Sequence, residues 1–400
     1  MTVGGYNSSM QGKSFILVLF GITGDLSRKR ILPALFELFT KKLLPTDWTV
    51  IGFIRKEWGS DEFEKFLTEV VGSVESDVLR SFIKHFVPFE GDINDEVSFS
   101  NLAKKISELK GDVQMDTLFH LSLSPLMYEK VVQGLIRSET LDANAKVLIE
   151  KPFGVDAAGA SSLDRLLHQH LSEDRIFRID HFLLKGCVGD IAEADFDGDR
   201  VSGVHIRFME SVVVGERGAF YEKVGAFLDV GQNHLLQLAS VVLLNADGLS
   251  SRTEAMGVMS LSERELSRGQ YEGYKREKNV AEDSDVETYF KVTLDATLGS
   301  GVVVPITLES GKGFDELVSN IEVSFENKPS QVFDMKSKRV DSLQPYARVI
   351  LDALSGEQSM FVSDAEVMEE WRITEEVLPA LRKAPLRVYP KGVKYEDIQI

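Results

Sequence analysis

The chain has 400 residues, 43% apolar and 27% charged, which describes a globular protein long enough for two cores. Its formal net charge of -18 argues against wrapping nucleic acid, which needs a basic footprint. A phosphorylated small molecule stays open, because a few local cations outweigh a distant field. The single cysteine, Cys187, excludes an internal disulfide and a cysteine zinc quartet. With no basic segment leading an apolar core at the start, and no run of roughly 18 apolar residues, the expectation is a cytoplasmic protein without a membrane partner.

In chain order, Phe15 to Phe20, Thr49 to Ile54, Phe86 to Phe89, Met115 to Leu121, Ala145 to Ile149 and Arg175 to Ile179 read as buried strands. Helical patterns lie between them at Arg30 to Leu44, Asp61 to Val70, Asn101 to Leu109 and Leu126 to Ile136. This alternation predicts right-handed crossovers and a Rossmann-like, doubly wound parallel sheet over residues 1–180. Residues 181–400 change character. After a polar turn at Asp195 to Arg200, strands are expected at Val201 to Met209, Tyr289 to Leu298, Val302 to Leu308 and Ile321 to Phe325. Helices interrupt them near Gly218 to Leu244, 342–355 and 363–383, and Gly273 to Ser284 reads as an exposed charged loop. The second domain is therefore α+β, larger, and built on a mostly antiparallel sheet.

The first strand runs into Gly21-Ile-Thr23-Gly24-Asp25-Leu26 and then a helix. Two glycines let the backbone approach a pyrophosphate, and a helix N-terminus offers unpaired N–H donors. A tight turn without ligand explains the same letters, since only two of the usual three glycines are present. The second strand ends in Arg55-Lys56, and a basic pair there suits the 2′-phosphate of NADP, with Glu57 pulling the other way. Asp180 and His181, with Lys185 close behind, follow the sixth strand, where open parallel sheets present ligands. Asp229 and His234 share a helical pattern, and α-helical spacing sets them about 140° apart. A packed core histidine is the competing explanation for His234. His168 and His170 form an H-x-H pair without further ligands visible on their helix, so no metal is expected.

Several ordered runs then carry a family likeness. Gly21 to Leu35, Leu121 to Tyr128, Glu150-Lys-Pro-Phe-Gly154, Arg178-Ile-Asp-His-Phe-Leu-Leu-Lys185, Asp229 to Gln237, Gly269 to Tyr274 and Asp283 to Tyr289 together resemble glucose-6-phosphate dehydrogenases. The resemblance implies an NADP-dependent oxidation of C1 of a sugar phosphate to a lactone, as in the pentose phosphate pathway. It implies His234 as general base, oriented by Asp180. His181 and Lys185 would hold the phosphate, and Glu210, Asp229 and Lys312 the sugar hydroxyls. Lys151 would lie near the reacting centre, shared by cofactor and substrate, while Gly21, Thr23, Gly24, Asp25, Leu26 and Arg55 would serve the cofactor. A homodimer is the family's usual assembly.

Three departures accompany the match. The family usually has tyrosine where Phe182 stands and arginine where Leu317 stands. The stretch after Phe325 is shortened, where relatives carry more of the large sheet, its dimer interface and, in some, a structural second NADP. A dehydrogenase of another sugar or sugar phosphate, or a catalytically silent cofactor-binding regulator, is the alternative. Retention of Asp180, His234, Lys151 and Lys185 weighs against the silent form.

Overall fold

The computed structural model describes residues 14–55, 58–72, 76–194, 196, 200–247, 249–264, 266–337 and 343–400. They form two compact units. The first holds six strands: β1 (Ser14–Phe20), β2 (Trp48–Ile54), β3 (Phe86–Glu90), β4 (Met115–Leu121), β5 (Ala145–Glu150) and β6 (Ile176–Ile179). They pair in the order β3-β2-β1-β4-β5-β6, every pair parallel. β1 is buried from Phe15 to Phe20, as a central strand covered on both faces requires. Strand order reverses between β1 and β4, and a doubly wound sheet binds ligands beyond the strand ends at such a point.

Local signals explain the helix starts. Asp95 accepts N–H bonds from Val97 and Ser98 to open Glu96–Lys110, and Asp156 accepts one from Gly159 to open Ala157–His168. Each such cap is worth about 1 kcal/mol. The helix expected from Arg30 begins earlier, as a wide π-type turn at Ser27–Ile31, and runs on as Leu32–Thr40. A further helix, Ser76–Ile83, lies between Asp61 to Val70 and β3.

The second unit carries β7 (Val201–Glu210), β8 (Met259–Leu261), β9 (Ser267–Tyr271), β10 (Tyr289–Thr297), β11 (Val303–Lys312), β12 (Val318–Phe325), β13 (Gln331–Asp334) and β14 (Leu386–Tyr389). The order is β13-β12-β7-β11-β10-β9-β14, with β8 against β10. Only β7/β11 and β9/β14 are parallel, so the sheet is mixed and mostly antiparallel. Strict alternation along β12 covers one face and leaves the other more open. The short strands β8, β9, β13 and β14 escape a sequence reading because sheet pairing, not periodicity, defines them. Gly273 to Ser284 is anchored rather than simply exposed: Tyr274 is buried and its hydroxyl donates to Glu222 at 2.6 Å. Most of the polar turn expected at Asp195 to Arg200 lies outside the described residues.

The chain leaves the first unit after His181, and the segment ending at Asp364 rejoins it. There Pro345–Ser355 is tied down by Lys146 Nζ, which donates to the carbonyls of Ala353 (2.9 Å) and Leu354 (3.1 Å). Tyr346 donates to Glu150 Oε2 at 3.0 Å. Among the described residues one helical stretch, Gly215–Ala246, is long and apolar enough to cross a membrane by composition alone, contrary to the expectation that no such run exists. Its most apolar window is 83% buried inside the protein, so its hydrophobicity is that of a core helix.

Gly21 has φ +79°, and a Cβ there would stand 2.3 Å from the carbonyl oxygen of Ser122, just past β4. Both strain and collision forbid a side chain. Gly21→Ala is therefore expected to cost about 2–4 kcal/mol of unfolding free energy, read from urea denaturation monitored by circular dichroism.

Candidate functional site

In the first unit the turn after β1 is closed by its own backbone, with the Gly24 N–H bonded to the Gly21 carbonyl at 2.9 Å. Ser27 Oγ donates to the same carbonyl at 2.9 Å and approaches Ser122 Oγ at 3.2 Å. Arg28 Nε donates to the Thr23 carbonyl at 2.9 Å. Those bonds fix Thr23, Gly24, Asp25 and Leu26 into one loop at the switch point. Asp25 is exposed, and its bond to Lys29 Nζ holds its carboxyl below the ordinary range. The tight turn leading into a helical run fits a dinucleotide pyrophosphate. Arg55 is exposed directly after β2, while Lys56 and Glu57 lie outside the described residues. Lys151 follows β5, whose last residue, Glu150, accepts bonds from Tyr346 and, at 2.9 Å, pairs with His120 Nε2. The Tyr128 hydroxyl donates to the Glu150 carbonyl at 2.9 Å. These clamps, invisible in the sequence, fix the backbone that carries Lys151. Asp180 is buried immediately after β6, with His181 next to it.

The second unit gathers most of the remaining predicted residues. Register pairs Lys312 of β11 with Glu210 of β7, and Lys312 Nζ forms an ion pair with Glu210 Oε2. Asp229 Oδ2 stands 3.6 Å from the same ammonium, and Arg217 lies 3.6 Å from Asp229 Oδ1. Asp229 and His234 belong to a wide π-type segment, Phe227–Leu235. Its i→i+5 bonding brings residues five apart nearly onto one face, which replaces the 140° separation expected for an α-helix. The segment starts at a kink: Gly225 has φ +67°, and a Cβ there would meet the Glu287 carboxylate at 2.4 Å. Glu287 Oε1 accepts the Phe227 N–H at 3.1 Å, and burial pushes its carboxyl above the ordinary range. Glu287 thus caps the helix that bears Asp229 and His234, a role that the sequence did not reveal.

Phe182 organises the other edge. Its ring stacks on the His234 imidazole, centroids 4.0 Å apart and 8° from parallel, and Lys185 Nζ lies 4.2 Å from its centroid. Phe208 meets the ring edge-on at 5.0 Å. A cation over an aromatic face is worth about 0.5–2 kcal/mol, so one ring fixes both a base candidate and a phosphate-binding candidate. At Leu317, Lys336 Nζ donates to the backbone carbonyl at 2.9 Å. Burial pushes the Cys187 thiol up to about 11, which leaves it a poor nucleophile.

Models of the two glucose-6-phosphate dehydrogenase domains match this sequence, the NAD binding domain over residues 18–190 and the C-terminal domain over 189–343 and 335–396. The chain belongs to the glucose-6-phosphate dehydrogenase family. A relative, glucose-6-phosphate 1-dehydrogenase of Borreliella burgdorferi, is 29% identical, with 91% of each chain covered. The crystal structure of glucose-6-phosphate 1-dehydrogenase from Mycobacterium avium is 28% identical, with a TM-score of 0.81 and 95% of each chain covered. A glucose-6-phosphate dehydrogenase solved with glucose 6-phosphate shares the fold at a TM-score of 0.85, with 22% identity and 96% of each chain covered. The family match therefore spans both units of this dehydrogenase.

Substitutions at Lys312 and at its neighbour Tyr221 should differ in their effect on stability. Lys312→Met leaves Glu210 and Asp229 without their shared cation and is expected to cost about 3 kcal/mol. The Tyr221 hydroxyl is fully buried and has no hydrogen-bond partner, and its ring centroid is 5.7 Å from Lys312 Nζ. Tyr221→Phe should leave stability unchanged or raise it by about 1 kcal/mol. Chemical denaturation of the two variants beside the parent checks both signs.

Proposed function

We propose that this protein oxidises C1 of glucose 6-phosphate to 6-phosphogluconolactone, passing a hydride to NADP. The observation that carries the reading is the Phe182 ring, which holds the His234 imidazole and the Lys185 ammonium at one place. His234 takes the proton of the C1 hydroxyl. Asp180 fixes the imidazole tautomer and stabilises the imidazolium once the proton has moved. His181 and Lys185 bind the phosphate, with Lys185 held beside Phe182 rather than by a tyrosine hydroxyl. Glu210, Asp229 and Lys312 exchange part of their mutual pairing for sugar hydroxyls. Lys151 lies beside the reacting carbon. Bound NADP supplies the hydride acceptor. The loop from Gly21 to Leu26 seats its pyrophosphate, and Arg55 pairs with its 2′-phosphate.

Phe182 favours a second reading, a dehydrogenase of another sugar or sugar phosphate, because it removes a hydroxyl from the phosphate end. Lys336, beside the Leu317 carbonyl, restores positive charge near that position and keeps the phosphorylated sugar ahead. The partner in either case is a small sugar, not a nucleic acid or a membrane. We place the protein in the cytoplasm, and light scattering distinguishes a homodimer from a monomer.

His234→Ala should lower kcat by about 10²–10⁴ while KM for glucose 6-phosphate changes little; a variant turning over at the parent rate refutes the base assignment. NADPH formation should be far faster with glucose 6-phosphate than with glucose. Equal rates would transfer the assignment to an unphosphorylated sugar. Arg55→Ala should raise KM for NADP by about tenfold or more, consistent with a charged hydrogen bond worth roughly 1.5–3 kcal/mol. An equal change with NAD would show that Arg55 does not read the 2′-phosphate.

A further inference from the structure

Three buried donors converge on the residue that precedes Lys151. The Tyr346 hydroxyl donates to Glu150 Oε2 at 3.0 Å, and His120 Nε2 donates to Glu150 Oε1 at 2.9 Å. The Tyr128 hydroxyl donates to the Glu150 carbonyl at 2.9 Å. Burial pushes both phenols far above their ordinary range, so each keeps its proton and stays a donor. His120 Nδ1 is buried without a partner among the described residues. The proton of that ring therefore belongs on Nε2, facing the carboxylate.

The sheet turns this clamp into placement. β5 and β6 run parallel, and their last paired residues are Glu150 and Ile179. Lys151 and Asp180 are the first residues past the same rung, at the carboxyl edge where open parallel sheets meet their ligands. The pairing ends there, and the bonds to Glu150 extend its order into the peptide that leads to Lys151.

We infer that Tyr346 and His120 are positioning residues for the oxidation: through Glu150 they set Lys151 beside Asp180. The inference rests on the function proposed above, and both residues act through Glu150 rather than on the reacting atoms. Simple docking of the helix Pro345–Ser355 does not account for the arrangement. That helix is fastened to the start of β5 by Lys146 Nζ, which donates to the carbonyls of Ala353 and Leu354. Just ahead of it, the Gln344 N–H donates to Glu37 Oε2 at 3.1 Å. Apolar side chains at 120, 150 and 346 would dock the same helix without any polar group to satisfy. A carboxylate held at both oxygens, with its own carbonyl held as well, does something they cannot: it fixes one peptide at three points. Such precision matters where a misplacement of about 1 Å can cost about 10²-fold in rate. It also gives the returning segment a task, since Tyr346 reaches the first unit only by that return.

The test compares two ties between one strand and one helix. Tyr346→Phe removes the tie at the Lys151 end of β5, and Lys146→Met removes the tie at the other end. Both should lower Tm. At a temperature where both are folded by circular dichroism, Tyr346→Phe should lower kcat with glucose 6-phosphate and NADP by about 10–100-fold. Lys146→Met should keep the parent kcat. Glu150→Gln, which leaves every tie of the helix backbone in place, should fall with Tyr346→Phe. A double-mutant cycle then asks whether Tyr346 acts through Lys151: added to Lys151→Ala, Tyr346→Phe should cause no further loss. A Tyr346→Phe variant with the parent kcat, equal losses in Tyr346→Phe and Lys146→Met, or additive losses in the double variant overturns the inference. Amide exchange read by mass spectrometry needs no turnover. Exchange over residues 151–156 should quicken about fivefold in Tyr346→Phe, as expected for one lost hydrogen bond, and not in Lys146→Met. A parent inert toward glucose 6-phosphate that still shows this difference would refute the proposed reaction and leave the clamp standing. An active parent without the difference would refute the clamp alone.

Discussion

The register of β11 against β7 is the constraint on which the second unit depends. It sets Lys312 opposite Glu210, and a slip of one residue would turn the lysine to the other face of the sheet. The neighbouring backbone locks this register. The Lys312 N–H bonds the Thr288 carbonyl at 2.9 Å, and the Tyr389 hydroxyl donates to the Lys312 carbonyl at 2.7 Å. Tyr389 Oη also lies 3.0 Å from Thr288 Oγ1, so β10, β11 and β14 are joined at one buried point. The two parallel pairings of the sheet flank that junction. A charged residue 5% exposed is thereby held in the unit by backbone geometry as much as by its ion pairs.

The same economy appears in the helix above it. Glycine at 225 is required because the Glu287 carboxylate occupies the space of a side chain. Glu287 in turn caps the wide segment that presents Asp229 and His234. The π-type widening is locally less favourable than continuous α-helix, and such widenings cluster at functional sites. Here it changes which residues share a face. Local stability is exchanged for side-chain placement, as expected where function competes with the regular fold.

The parallel sheet was legible in the sequence because each of its strands is a short apolar run bounded by turns. Met115–Leu121 even keeps its ends. Asp229 and His234 were legible as residues but their relative placement was not, since α-helical arithmetic fails in a π-type segment. Glu287 lay inside a recognisable run, yet its capping of Phe227 depends on chain reversal over 60 residues. The return of the segment ending at Asp364 to the first unit left no signal of its own. Its ties, Lys146 to the carbonyls of Ala353 and Leu354, are side-chain to backbone bonds across more than 200 residues. Spacing rules address neighbours in sequence, and these contacts are made by neighbours in space.

Phe182 shows how a departure from the family pattern can be read physically. A tyrosine there would add a hydroxyl at the ring edge but keep the π face. The stacking on His234 and the cation contact of Lys185 use that face. Losing the hydroxyl therefore leaves intact the packing of the ring against His234 and Lys185. Lys185 gains importance, because its ammonium rests against the same ring that stacks on His234. On the function proposed above, the substitution would act on the strength of phosphate recognition rather than on placement of the base. On that proposal, substrate choice and the proton-transfer step can vary independently even though one ring touches both candidate residues.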